Sequence, residues 1–265
     1  MKKLKALIGY TGFVGSTLLK QHSFEYCFRS STISQIDSQE FDLVICSAAP
    51  AQKWIANREP EADLNKIEDL ITHVKTIQCK KFVLISTVDV FKNSVGANED
   101  FPVDEDGLHP YGLHRRILEK FVEDRFPNHL IVRLPGLVGP GLRKNVIFDF
   151  LNNNNLHAIE SRGVFQFYPM VNLWYDIKTA LNADLKLVHL TAEPISVADV
   201  SVHGFGKIFE NKLVTPPAAY DFQSNHAALF GGHGRYQYSR RETIQAIRAY
   251  AQSEPLTIKT DGGVV

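Results

Sequence analysis

Leu4-Lys5-Ala6-Leu7-Ile8-Gly9-Tyr10-Thr11-Gly12-Phe13-Val14-Gly15 decides how the rest of the chain is read. A short apolar run enters three glycines spaced Gly-x-x-Gly-x-x-Gly, and a helical pattern follows at once. Gly9 suits a tight turn after a strand. Gly12 lets a backbone approach a pyrophosphate with no Cβ in the way. Gly15 lets the next helix pack close to the strand, so that its free N–H groups and positive dipole end face the phosphates. Glycine turns also end strands for purely structural reasons, so the loop needs company elsewhere in the chain to acquire a meaning.

Outward from this loop, short apolar runs alternate with longer helical patterns. Strands are expected at residues 4–9, 24–28, 41–47, 82–86, 130–133 and 185–190. Helices are expected at 13–21, 61–78, 111–125, 146–151 and 197–209. Continuously apolar strands belong to a parallel sheet buried on both faces. Their alternation with helices predicts an α/β fold with a doubly wound parallel sheet, in which ligands bind beyond the carboxyl ends of the strands. The alternation breaks near Arg162, where Phe165, Phe167, Tyr168, Trp174 and Tyr175 cluster, and again over residues 220–241, which carry Gly231, Gly232 and Gly234. We therefore expect a dinucleotide-binding domain over residues 1–161, a substrate-lobe segment over 162–184, a return to the sheet over 185–210, and a small C-terminal lobe over 211–265. That lobe ends in a helix over 240–252, and the stretch after Glu254 reads as a mobile tail.

Composition narrows the function. The chain has 265 residues with 29 basic and 29 acidic side chains, a balance that argues against a nucleic-acid footprint. Its three cysteines, Cys27, Cys46 and Cys79, lack metal spacing. Cys27 and Cys46 read as reduced core residues, which points to the cytoplasm, and no metal site is expected. Lys2 and Lys3 precede too short an apolar stretch for a signal peptide, and no segment has the length of a membrane helix.

Three further stretches fall where a parallel sheet would place its ligand. Ile85-Ser86-Thr87-Val88-Asp89-Val90-Phe91 ends the fourth strand with hydroxyls. Asp106-Gly107-Leu108-His109-Pro110-Tyr111-Gly112-Leu113-His114-Arg115 starts a helix at Pro110, which puts Tyr111 and Arg115 four residues apart on one face. Leu134-Pro135-Gly136-Leu137-Val138-Gly139-Pro140-Gly141 follows the fifth strand.

Together with the glycine loop, in this order, these motifs resemble the extended short-chain dehydrogenase/reductase family, the NAD(P)-dependent epimerases, dehydratases and reductases of nucleotide sugars. The resemblance spans residues 1 to about 200 and implies a Rossmann-like fold. It places the catalytic Ser or Thr on Thr87 and the catalytic tyrosine on Tyr111. It also makes Arg133–Gly141 the segment that lines nicotinamide and substrate. The implied cofactor-binding set is Gly9, Thr11, Gly12, Phe13, Val14, Gly15, Arg29, Ser30, Ala48, Ala49 and Pro135. Asp89, Arg143 and Asn172 are candidates for the substrate, with Lys144, Arg162 and Arg235 behind them.

One position departs from the family pattern Tyr-x-x-x-Lys: the fourth is Arg115. Lys120 lies on the opposite side of the helix, so Arg115 alone is within reach. Lowering a phenol from about 10 to near 7 takes about 4 kcal/mol. A full charge about 4 Å away at an effective dielectric of 20 supplies about that much. The expected chemistry has Tyr111 as general acid or base, Thr87 on the same substrate oxygen, Arg115 stabilising the phenolate, and hydride exchanged at nicotinamide. His114 reads as a surface histidine. The second strand ends in Arg29-Ser30-Ser31 without an acid, which favours NADP, with NAD as the alternative. The expected partner is a nucleotide sugar. A homodimer is possible, because the family often pairs through the tyrosine helix. The rival reading is a non-catalytic NADP-binding sensor or partner protein on the same scaffold. The acidic stretch Glu99 to Asp106 reads as a solvated loop or a lid.

Overall fold

In the computed structural model, which describes residues 4–256, the glycine loop joins strand β1 (Lys5–Ile8) to helix α1 (Phe13–Gln21). The chain continues through β2 (Tyr26–Phe28), a 3₁₀ segment (Ser30–Ile36), β3 (Glu40–Cys46), α2 (Lys53–Arg58), α3 (Pro60–Val74), β4 (Gln78–Thr87), α4 (Pro110–Arg125) and β5 (His129–Leu134). Then come β6 (Gly136–Val138), α5 (Val146–Asn152), β7 (Val164–Phe165), β8 (Phe167–Pro169), α6 (Leu173–Asn182), β9 (Leu187–His189) and β10 (Ile195–Ser196). A helical turn, α7 (Val197–Asp199), runs into a π turn (Val200–Gly204), and α8 (Arg240–Ser253) comes last.

Six strands form one parallel sheet in the order β2-β1-β3-β4-β5-β9. The register sets Ala6 beside Val44, Val44 beside Phe82 and Leu84 beside Ile131. Alternate residues enter opposite cores. Ala6, Ile8, Val44, Cys46, Phe82 and Leu84 join Ile67 and Leu70 of α3 and Leu118 and Val122 of α4. Leu7, Ile45, Val83, Ile85 and Val132 join Leu18 of α1 and Leu173, Ile177 and Ala180 of α6. Both faces being covered explains why the strands read as unbroken apolar runs. A third core lies off the sheet, where Ile147 and Phe150 of α5 meet Ile195, Val197, Val200 and Ile244, Ile247 and Tyr250 of α8.

The expected doubly wound α/β sheet is thus present, with local differences. β4 begins at Gln78 rather than 82, because Gln78 and Cys79 pair with Glu40 and Phe41 although Lys80 and Lys81 obscure the pattern. α2 was not expected. The helix after β10 ends at Gly204 instead of 209. Residues 173–182, assigned above to the substrate lobe, cover a face of the sheet as α6. Cys46 is buried as expected, but Cys27 is exposed because β2 is an edge strand. Lys2, Lys3 and most of the expected tail lie outside the described residues. Among the described residues, no helix is long and apolar enough to cross a membrane, and no group of three or more His, Cys, Asp or Glu side chains is placed to hold a metal ion.

A buried carboxylate fixes α4 to the sheet. Glu119 has no solvent exposure. It accepts from Arg133 Nε at 2.9 Å and Nη2 at 2.7 Å, from Ser86 Oγ at 2.6 Å and from Arg116 Nη1 at 3.0 Å. One acid therefore joins α4, β4 and β5. Removing it would leave Arg133 as an uncompensated buried charge. Glu119→Ala should lose about 3–5 kcal/mol of stability in urea unfolding, and a loss within experimental error would contradict this account.

Candidate functional site

A cavity of about 560 Å³ opens at the carboxyl ends of five strands. Ile8 and Gly9 follow β1, Arg29 and Ser30 follow β2, Ser47 to Ala51 follow β3, Ser86 and Thr87 end β4, and Leu134 and Pro135 end β5. Its floor is the start of α1. The first N–H groups of a helix have no partner inside it, and here Gly12 at the N-cap supplies no side-chain cap. Phe13 and Val14 line the cavity at this end, so the helix presents bare donors and its positive dipole end.

The three glycines do different things. A Cβ on Gly15 would lie 2.2 Å from the Gly9 carbonyl oxygen, and Gly9 itself has φ +87° with the Ser47–Ala48 backbone 2.7 Å away. Both are required by the fold. A Cβ on Gly12 would meet only the Gly9 oxygen, at 3.6 Å, an ordinary contact. The protein alone gives no reason for glycine at 12, whereas a diphosphate lying on the helix start does. The residues present therefore fit a dinucleotide.

Thr87 and Tyr111 reach the other end of the same cavity. Tyr111 is placed by α4, whose first turn is fixed from three sides. Pro110 starts it, His109 Nδ1 accepts from Gly112 N at 3.0 Å, and Asn57 of α2 accepts from Tyr111 N at 3.0 Å. Gly112 lies against the Asp89 carbonyl, where a Cβ would come within 2.1 Å. That approach brings the helix onto the end of β4. Burial pushes the Tyr111 phenol above its ordinary value. The positive charge of Arg115 pulls it down without reversing the shift, Asp89 adds to the rise, and Thr87 and Lys53 oppose it. Arg115 thus acts on this phenol in the expected direction, but burial outweighs it. The guanidinium is already paired with Asp63, its Nη2 lying 3.0 Å from Oδ1 and its Nη1 close to Oδ2.

The other expected residues are distributed as follows. Thr11, Ala48 and Ala49 line the cavity, while Gly15 lies beneath it. Asp89 stands beside the cavity, its carboxylate taken by Lys53 Nζ at 2.7 Å and Tyr220 OH at 3.1 Å. Arg143 is exposed and outside the lining, but its neighbour Lys144 lines it and donates to the Ala51 carbonyl. Asn172 is remote, at the start of α6 beside Gln21 of α1. Arg162 pairs at the surface with Glu160, and Arg235 donates to Asn225 at 2.5 Å. Arg133, expected to head a lining segment, is buried against Glu119. His114 is buried rather than superficial, with Nδ1 2.7 Å from Asp63 Oδ2. The acidic stretch is stitched down rather than free: Glu99 accepts from His189 N at 2.9 Å, Ser224 Oγ at 2.7 Å and Asn225 N at 2.7 Å.

Sequence reasoning missed Lys53, Asp63, Lys66 and Asp69. Asp63, Lys66 and Leu70 recur at i, i+3 and i+7, a stripe that was readable as one face of α3. Lys53 carried no comparable signal, since the short helix that holds it was not seen.

No protein-family model and no curated protein sequence matches the chain. Solved structures do share its fold. A dTDP-4-dehydrorhamnose reductase from Clostridium acetobutylicum is 18% identical over 94% of this chain and 99% of its own, with a TM-score of 0.69. A dTDP-4-dehydrorhamnose reductase from Bacillus anthracis, solved with NADP, is 17% identical over 96% and 99%, with a TM-score of 0.70. An NAD-dependent NDP-hexosamine 5,6-dehydratase involved in tunicamycin biosynthesis is 17% identical over 96% and 99%, with a TM-score of 0.73.

The contrast between the glycines is directly measurable. Gly12→Ala should leave the melting temperature within about 2 °C of the parent, because its Cβ has room. Gly15→Ala, which drives a Cβ into backbone, should lower it by about 5 °C or more. Equal melting temperatures would show that the loop is not packed as described.

Proposed function

We propose that this chain is an NADP-dependent oxidoreductase or epimerase acting on a nucleotide-linked sugar, with Tyr111 as the proton-transfer group. One observation carries the reading. A bare helix start with an unforced glycine at 12, and a Thr–Tyr pair at the end of β4, open into the same cavity. A phosphate cradle without Thr87 and Tyr111 would suit a binding protein. The pair without the cradle would be an ordinary polar cluster. The shared fold of nucleotide-sugar reductases and a dehydratase supports the same class.

In this reading the N–H groups at the start of α1 receive the diphosphate, and Ala48 and Ala49 leave room beside it. Arg29 and Ser30, at the end of β2 where no acid stands, meet a 2′-phosphate, which favours NADP over NAD. When bound, the nicotinamide supplies or takes the hydride. Thr87 holds the substrate oxygen, and Tyr111 exchanges a proton with it. Lys53 and Asp89, whose charges act on Tyr111, form with Tyr220 a polar cluster outside the cavity lining, and we take them as candidates for contact with the sugar.

Calorimetric titration with NADPH and NADH tests the cofactor. We expect tighter binding of NADPH, and Arg29→Ala should weaken it about tenfold or more while leaving NADH affinity in place. Absence of binding by either dinucleotide would overturn the reading. With nucleotide 4-keto-sugars offered alongside NADPH, Tyr111→Phe should lower kcat about 10²–10⁴-fold without changing NADPH affinity, as followed by absorbance at 340 nm.

A further inference from the structure

Four of the five N–H bonds of the Arg115 guanidinium are committed within the protein. Nη1 faces Asp63 Oδ2 and the Tyr111 carbonyl oxygen, the latter at 3.3 Å. Nη2 faces Asp63 Oδ1 at 3.0 Å and the Pro50 carbonyl oxygen. The fifth, on Nε, is buried without a partner. The group lies flat on the Tyr111 ring, with Cζ 4.0 Å from the ring centre. The side chains of Arg115 and Asp63 are 3% and 5% exposed, so little water screens them or offers another geometry. Asp63 also receives the His114 ring nitrogen at 2.7 Å; an ionised carboxylate only accepts, so Nδ1 carries the proton.

An arginine held this way is limited in both of the tasks expected of a lysine at its position. It has no exposed donor left for a ligand hydroxyl. Its charge also forms a tight dipole with Asp63, whose field at the phenol is weaker than that of a lone cation. We infer that Asp63 is a positioning residue: by clamping Arg115 flat on the Tyr111 ring and pairing with its guanidinium, it withholds that cation from the ligand and weakens its field at the phenol. The inference rests on the function proposed above and concerns the tuning of its proton-transfer group.

The charged and titratable groups around Tyr111 agree with this. From α4 come Arg115 and His109, whose ring lies 6.3 Å from that of Tyr111; α3 supplies Asp63, which acts through Arg115 together with His114. From α2 comes Lys53, and after β4 come Thr87 and Asp89. Lys144, ahead of α5, feels the charge of Arg115. Lys53 is itself paired with Asp89, as Arg115 is with Asp63. Burial then dominates and favours the neutral phenol.

The step balances. The carbonyl carbon accepts a hydride from the reduced nicotinamide cofactor, which leaves oxidised. The π electron pair of C=O moves to oxygen, and that oxygen takes the Tyr111 hydroxyl proton. The phenolate left behind is reprotonated from solvent. Oxidation of the alcohol runs through the same groups in reverse, with the phenolate accepting the hydroxyl proton.

The test is the titration of Tyr111 itself, read by NMR of protein carrying ring-labelled tyrosine, with Tyr111→Phe to assign the signal, in the ligand-free protein and with NADPH. We expect no Tyr111 titration below about pH 10 in the parent protein. In Asp63→Asn, which frees the Arg115 charge, the midpoint should fall by about one to three pH units. Should that variant fail to fold, the parent titration still decides, and Arg115→Lys, whose ammonium cannot grip Asp63 and Pro50 together, should also shift the midpoint downwards. A parent midpoint near neutrality, or a folded Asp63→Asn with an unmoved midpoint, would overturn the inference. Calorimetry separates the two levels. Failure to bind NADPH removes the proposed function and this inference together, whereas NADPH binding with a neutral-range Tyr111 midpoint removes the inference alone.

Discussion

Glu119 sits where α4 crosses the sheet, with its carboxylate fully buried. Its bonds to Arg133 and Ser86 decide where α4 lies relative to β4 and β5. Everything at the cavity inherits that placement. Thr87 follows Ser86 by one residue, Pro135 follows Arg133 by two, and Tyr111 is two turns up the helix from Glu119. Apolar packing alone would let α4 slide by a fraction of a turn at small cost, whereas a buried ion pair has one good geometry. His189 is drawn into the same arrangement. It lies 3.4 Å from Arg133, and burial beside that cation holds its ring well below the usual histidine range.

A second buried acid, Asp63, joins α3 to α4 in the same manner, and the two acids divide the work. Glu119 fixes the helix to the sheet, and Asp63 fixes the orientation of one side chain on it. The Asp63 carboxyl would be raised by burial, yet the hydrogen bonds from Arg115 and His114 outweigh this and hold it below the usual carboxylate range. This pairing remains ionised across any pH at which the protein is folded near neutrality.

The fold was legible because its signal is local and repeated. The inner strands of the main sheet are covered on both faces, so they read as apolar runs, and the three glycines mark the first turn. What stayed hidden had other causes. α2 is six residues long, too short for a periodicity. The opening residues of β4 carry two lysines, Lys80 turned to solvent and Lys81 bonded to Asn128 and Asp184, which break the apolar run. The site was legible where the motifs converge on one cavity, as Gly12, Thr87 and Tyr111 do. It was not legible where a residue answers to another side chain far along the chain. Asp63 and Arg115 are 52 positions apart, and nothing in either neighbourhood announces the other. The pairing of Arg115 with Asp63 stayed hidden for that reason, and the reading of His114 as a surface group failed for it.

The order of the sheet also bears on how the chain assembles as it is made. β1 to β5 and the helices of one face all lie within the first 134 residues, so that layer has its partners early. The opposite face has only α1 until α6 appears about forty residues later. In that interval Val83, Ile85, Leu130 and Val132 present an apolar surface to the surrounding water. A nascent chain paused there is at its most aggregation-prone, and a chaperone that shields this one face would give the greatest help.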